Sequence, residues 1–279
     1  MCRHLAYLGP PLPLSRLLFD PPHALVRQSW APKDMRGGGT INADGFGVGW
    51  YPAGSPPVRY RRGTPLWSDP TLPGLAESVS SGAVLAAVRS ATAGMPVVET
   101  AAAPFGDGTW LFSHNGVVAG WPSSVAKLAE RLPVTDLLTL AAPTDAALLW
   151  ALVRSRLRAG LALAAALAEV ATEVLSVAPG SRLNLLLTDG VAVAATAIGH
   201  ALSVRQDFSD MSGGKTVPPP DVEASASGPS SIVPSSIVPS SIVVASEPLD
   251  DHPAWRPVPD RTLLAATATD LTLTPLGEA

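Results

Sequence analysis

The sequence predicts an α+β fold in which two sheets carry helices on their faces. Three observations point there: residues 1–120 alternate short apolar runs with Gly and Pro, the middle holds two Ala/Leu-rich helical stretches, and strand-like runs then resume. In the first part, Arg3 to Leu8, Gly45 to Tyr51, Val58 to Arg61, Ala83 to Val88 and Thr109 to Ser113 read as strands. Thr144 is an N-cap for a helix with Leu148, Leu149, Leu152 and Val153 on one face and Arg154, Arg156 and Arg158 near its carbonyl end. Gly160 stops it. A second helix runs from Leu161 to Val177, and Pro179-Gly180 ends it. Leu183 to Leu187 and Val191 to Ala197 then form a hairpin about Asp189-Gly190. Ala201 to Arg205, Ile242 to Ser246 and Leu263 to Ala268 are the remaining strands.

Between Asp210 and Ser241 the chain turns rich in Ser, Pro and Gly, with SSIVP at Ser230–Pro234 and again at Ser235–Pro239. So short a duplication builds no solenoid, whose units are tens of residues long. It reads as a disordered low-complexity surface loop over 210–239, inserted in a single domain spanning 1–279.

Composition narrows the partners. With 19 Lys+Arg against 23 Asp+Glu the net charge is −4, which argues against nucleic acid, whose phosphates need a concentrated positive face. The amino terminus is broken by Gly9 and several prolines, so it lacks the apolar core of a signal peptide. Glu169 and Glu173 interrupt the longest apolar helix, which is too short to cross a bilayer. The expectation is a cytoplasmic protein with no membrane partner. A disulfide framework is excluded, because the sequence holds 1 cysteine, at position 2.

That cysteine is the sharpest chemical feature. Loss of Met1 would place a thiol and a free α-amine on one residue, and an α-amine of pKa about 7.7 to 8.0 can act as a base near neutrality. The alternative is a buried spectator thiol. His4 stands two residues on, on the same strand face, where side chains run parallel and seldom converge, which disfavours a Cys-His pair. Asn115-Gly116, within LFSHNGVV, by itself favours a hairpin turn; functionally it offers two donors for an oxyanion. Arg89, after a buried-strand run, needs an anion, either a structural carboxylate or a substrate one. Asp145, in the first helical turn, is a helix-start residue or a receptor for an ammonium group.

Taken in order, the amino-terminal Cys, Arg-x-x-Thr, His-Asn-Gly and a Thr-Asp pair opening a helix resemble the class 2 glutamine amidotransferase domain of the amino-terminal-nucleophile hydrolases. NADGFGVGWY at Asn42–Tyr51 and VVASEPLDD at Val243–Asp251, with Trp255, resemble its stand-alone branch; MCRHLAYLG and QSWAP at Gln28–Pro32 resemble the ergothioneine-biosynthesis amidohydrolases in it. The resemblance implies a four-layer αββα sandwich of two mostly antiparallel sheets. It implies hydrolysis of a γ-glutamyl amide with release of glutamate, using no cofactor and no metal. Cys2 would be the nucleophile, Asn115 and Gly116 the oxyanion hole, Arg89 the partner of the substrate α-carboxylate and Asp145 that of its α-ammonium. Where many members have Trp after the arginine and His after the threonine, this chain has Ser90 and Ala93. The branch also implies a trimethylammonium on the leaving side, which Trp30, Trp50, Trp121 or Trp255 could face. The alternatives are a glutaminase subunit feeding ammonia to a synthase, and an inactive γ-glutamyl-binding scaffold.

Overall fold

The computed structural model describes residues 2–34, 41–208 and 240–277. The low-complexity segment at 210–239 therefore lies outside the described residues, as does Met1. Thirteen strands are described: β1 (Arg3–Pro13), β2 (Phe46–Trp50), β3 (Val58–Arg62), β4 (Ser80–Val88), β5 (Phe105–Asp107), β6 (Trp110–Val117), β7 (Arg182–Thr188), β8 (Val193–Ala197), β9 (Ser203–Gln206), β10 (Ile242–Ala245), β11 (Arg256–Pro257), β12 (Thr262–Ala266) and β13 (Leu271–Pro275). They form a seven-stranded sheet in the order β11-β9-β10-β1-β4-β2-β3 and a six-stranded sheet in the order β13-β12-β8-β7-β6-β5. All the strand pairings are antiparallel.

The period-2 alternation of each strand assigns its residues to layers. In β1, Leu5 and Tyr7 point outward into a core with Phe46, Val48 and Val84, whereas Ala6 and Leu8 point inward to meet Leu111, Leu186 and Ala195 of the other sheet. The outer face of the seven-stranded sheet is covered by α1 (Ser15–Leu18), α2 (Leu25–Gln28) and α3 (Leu72–Ser78), whose Leu17, Leu18, Leu25 and Leu72 are buried there. On the outside of the six-stranded sheet lie α4 (Ala126–Ala129), α5 (Val134–Leu138) and two long helices, α6 (Asp145–Arg158) and α7 (Leu163–Val177). Leu149, Leu152 and Val153 of α6 and Leu167, Val170 and Val174 of α7 pack against Phe112, Leu185 and Leu187. The expected four-layer sandwich is formed, with one helical layer made of short pieces.

Two local expectations change. Asn115-Gly116 is not a turn: β6 runs straight through it, with Asn115 opposite Asn184 and Gly116 opposite Leu183. Pairing along β7 overrides the local turn preference. In the β7–β8 hairpin the turn shifts one residue, onto Gly190-Val191: Asp189 N–H donates to the Ala192 carbonyl at 3.4 Å and Gly190 takes φ +91°. The Asp189 carboxylate accepts from the Val191 and Ala192 N–H groups, which holds the turn at that register. Thr144 caps α6 as expected, its hydroxyl accepting from Ala147 N–H at 3.2 Å.

Candidate active site

Strand register, not sequence proximity, gathers the site. Arg3 of β1 pairs with Val88 of β4, so Cys2 lies beside the residues that follow β4, and its thiol donates to the Ser90 carbonyl at 3.7 Å. On the other side of β1, Leu5 pairs with Ala245 of β10, and Ser246 N–H donates to the His4 carbonyl. A pocket opens at this edge, lined by Cys2, Arg89, Ser90, Thr92, Gly116, Thr144 and Asp145 among others. Burial pushes the Cys2 thiol above its ordinary range; Arg89 pulls it down and Asp145 pushes it up. Both charges line the same pocket as the sulfur.

Arg89 is buried, yet no carboxylate of the described residues pairs with it. Its guanidinium donates to the Pro96 carbonyl at 2.8 Å and the Asp44 carbonyl at 3.4 Å, and its backbone is clamped by Gly45 and Asp44. The structural-carboxylate reading is thereby set aside. Asp145 is its mirror image: buried at the start of α6, it accepts from Val118 N–H at 3.1 Å and Ala146 N–H at 2.8 Å, with no cationic side chain bound among the described residues. A buried charge without a counter-ion is costly, so one of each sign in one pocket marks a place for a ligand carrying both.

Gly116 must be glycine, because a Cβ there would strike the Arg182 carbonyl and lie 2.7 Å from the His114 ring. Asn115 is fully buried beside the pocket, not among the residues lining it; its Nδ2 donates to Ser246 Oγ at 3.2 Å. His4 is no partner of the thiol. Its Nδ1 sits 3.1 Å from Ser113 Oγ, and burial, with His114, His200 and Arg3 adding to it, pushes its pKa down to about 3. The ring is neutral near pH 7 and turned toward the second sheet.

None of Trp30, Trp50, Trp121 and Trp255 lines the pocket. Trp30 stacks under Arg27 at 4.0 Å, and Trp255 donates to Asp250 at 2.8 Å. Trp50 and Trp121 pack against the outer cores.

Residues unassigned from the sequence complete the surroundings. Arg3 Nε is 2.7 Å from Glu247 Oε1, and the same guanidinium donates to the Cys2 carbonyl at 3.0 Å and to the Asp34 carbonyl. Glu247 also accepts from Lys33 N–H at 2.7 Å. The Asp44 carboxylate accepts from Ala91 N–H at 2.8 Å and so shapes the segment after Arg89. The sequence signal for Arg3, Asp44 and Glu247 lay in the stretches around them, which carried the family resemblance without assigning a role.

A thiol at residue 2, at the edge of two stacked antiparallel sheets and lining one pocket with an arginine and an aspartate that have no ion-pair partner among the described residues, is the arrangement of an amidotransferase-type hydrolase. The chain belongs to the class-II glutamine amidotransferases: the model of that family matches residues 19–276. It is 37% identical over 277 residues, 99% of this chain and 100% of the relative, to the γ-glutamyl-hercynylcysteine sulfoxide hydrolase of Mycolicibacterium smegmatis. A class-II domain protein from Silicibacter pomeroyi superposes with TM-score 0.59 at 24% identity, covering 99% of this chain and 100% of that one. The glutamine phosphoribosylpyrophosphate amidotransferase of B. subtilis superposes with TM-score 0.58 at 15% identity, covering 100% of this chain and 50% of that one. These two structures carry the same fold. Among the described residues no helix is long and apolar enough to cross a membrane.

Proposed function

We propose that this chain hydrolyses a γ-glutamyl amide through Cys2, releasing glutamate and an amine. One observation carries the reading: the pocket holds a thiol, a buried cation and a buried carboxylate, neither of which has an ion-pair partner among the described residues. A γ-glutamyl head has one reactive carbonyl, one α-carboxylate and one α-ammonium. Arg89 takes the carboxylate and Asp145 the ammonium, which leaves the γ-carbonyl at the sulfur.

The α-amine of Cys2, freed by loss of Met1, accepts the thiol proton as sulfur attacks the carbonyl carbon. Burial raises the thiol above its ordinary range, so a base on the same residue assists its deprotonation. The tetrahedral oxyanion is met by the Asn115 amide and Gly116 N–H. The C–N bond then breaks as the amine base returns its proton to the leaving nitrogen, giving a γ-glutamyl thioester. Water, deprotonated by the same amine, cleaves the thioester and restores the thiol.

The relative named for γ-glutamyl-hercynylcysteine sulfoxide, aligned over nearly all of both chains, supports that sulfoxide as the substrate. The same alignment, with the family match over 19–276, supports one domain across 1–279. Glutamate release should be far faster from the sulfoxide conjugate than from glutamine, and Cys2→Ala should abolish it while leaving the fold intact. Equal efficiency on glutamine would overturn the substrate and favour an ammonia-supplying glutaminase. Undiminished release by Cys2→Ala would overturn the mechanism.

A further inference from the structure

We infer that Ser246 is a positioning residue that turns the Asn115 amide so that its NH2, not its oxygen, is presented to the reacting carbonyl; the inference rests on the reading of Asn115 as an oxyanion donor. The argument is one of donors and acceptors. Asn115 is fully buried, and of its two amide ends one lies 3.2 Å from Ser246 Oγ while the other, placed as Oδ1, meets no partner. Ser246 is itself buried, and its Oγ already accepts from His4 N–H at 3.0 Å. A hydroxyl has one proton to give, and among the described residues that proton meets no acceptor when Asn115 turns its Nδ2 toward Ser246.

The two ends of an amide have nearly the same shape and are told apart by their hydrogen bonds. With Nδ2 toward Ser246, two buried groups go unsatisfied: the Ser246 proton and the Asn115 oxygen. Rotating the amide by half a turn lets the Ser246 hydroxyl donate to Oδ1 while it still accepts from His4. Then a single group remains without a partner, the Asn115 NH2, and it is a donor. Buried polar groups lacking a partner are rare, and a lone donor on the residue before Gly116, which lines the pocket with Cys2, is what a developing oxyanion satisfies. Ser246 is held for the task by backbone, since its own N–H donates to the His4 carbonyl at 2.9 Å. The hydroxyl thus bridges β1, which begins after the nucleophile, to β6, which carries the oxyanion donors.

The test is a double-mutant cycle read by turnover. Ser246→Ala should lower kcat by ten- to a hundred-fold with KM within about twofold, and Ser246→Thr, which keeps the hydroxyl, should recover most of it. In an Asn115→Ala background, Ser246→Ala should change kcat by no more than about twofold, because there is no amide left to orient. A purely structural serine would instead lower melting temperature and kcat by the same factor in both backgrounds, and that result would overturn the inference. So would Ser246→Ala with unaltered kcat in the parent. If Asn115→Ala alone left kcat unchanged, the oxyanion reading itself would fall, whatever Ser246 did.

Discussion

Arg89 and Asp145 face one pocket from different layers of the sandwich, the end of β4 and the start of α6, and yet do not pair with each other. The guanidinium rests on the Pro96 carbonyl at 2.8 Å, and the carboxylate on the Ala146 and Val118 N–H groups. Each charge is fixed by backbone groups, so neither needs to move when a ligand arrives. In the proposed roles of Arg89 and Asp145, a pair of opposite charges held in place would measure the distance between a substrate's carboxylate and ammonium. That pre-organisation keeps the ordering cost of binding low.

Asp145→Asn and Arg89→Lys should each raise KM for a γ-glutamyl substrate by about 30-fold or more, since truncating one partner of a buried charge pair costs about 2–5 kcal/mol. Lysine fails at position 89 because it cannot grip a carboxylate bidentately. Assigning the roles needs a second substrate whose α-amine is acetylated. On that substrate Asp145→Asn should lose no more than the parent enzyme does. A persistent 30-fold gap would show that Asp145 does not read the ammonium.

Gly116→Ala should reduce stability by about 1–3 kcal/mol, because the new methyl would meet the Arg182 carbonyl, a backbone atom held in the β6–β7 ladder. Turnover should fall as well, since relief requires β6 to shift together with Asn115. Thermal unfolding and kcat measured on one preparation would check both. A variant matching the parent in both would mean that the strand can yield at no cost.

His4 makes stability depend on pH in a window set by its burial. Its folded-state value lies at about 3 against an ordinary 6.5. As pH falls from 6.5 toward 3, the unfolded chain takes up a proton that the folded ring cannot, so stability is lost across that range and levels off below it. The slope is about 1.4 kcal/mol per pH unit. His4→Gln should therefore show a shallower fall in unfolding free energy between pH 6 and pH 4 than the parent does. Parallel curves would place the acid sensitivity elsewhere.

Ser246 and Glu247 show how far the site outran local reading. Each is set beside the amino-terminal strand by the β1–β10 ladder, and Glu247 meets Arg3 across 244 residues of sequence. No periodicity or spacing within a short window encodes such a contact. The helices α1, α2, α4 and α5 escaped for a related reason, being four or five residues long and so too short to show a helical period. Asn115-Gly116 failed differently: the dipeptide has a real turn preference, and β7 pairing overcame it.

The sequence by itself determined ten of the thirteen described strands and the two long helices in their order, the cap that begins α6, and the residue types able to attack, bind a carboxylate and bind an ammonium, because those follow from local pattern and side-chain chemistry; β5, β11 and β13 escaped it. Only the tertiary structure decided that Arg89 and Asp145 lack counter-ions among the described residues, that His4 turns away from the thiol, that no tryptophan lines the pocket and that Ser246 Oγ meets the Asn115 amide. Those facts depend on which strands become neighbours, and strand neighbours are chosen by burial over the whole chain.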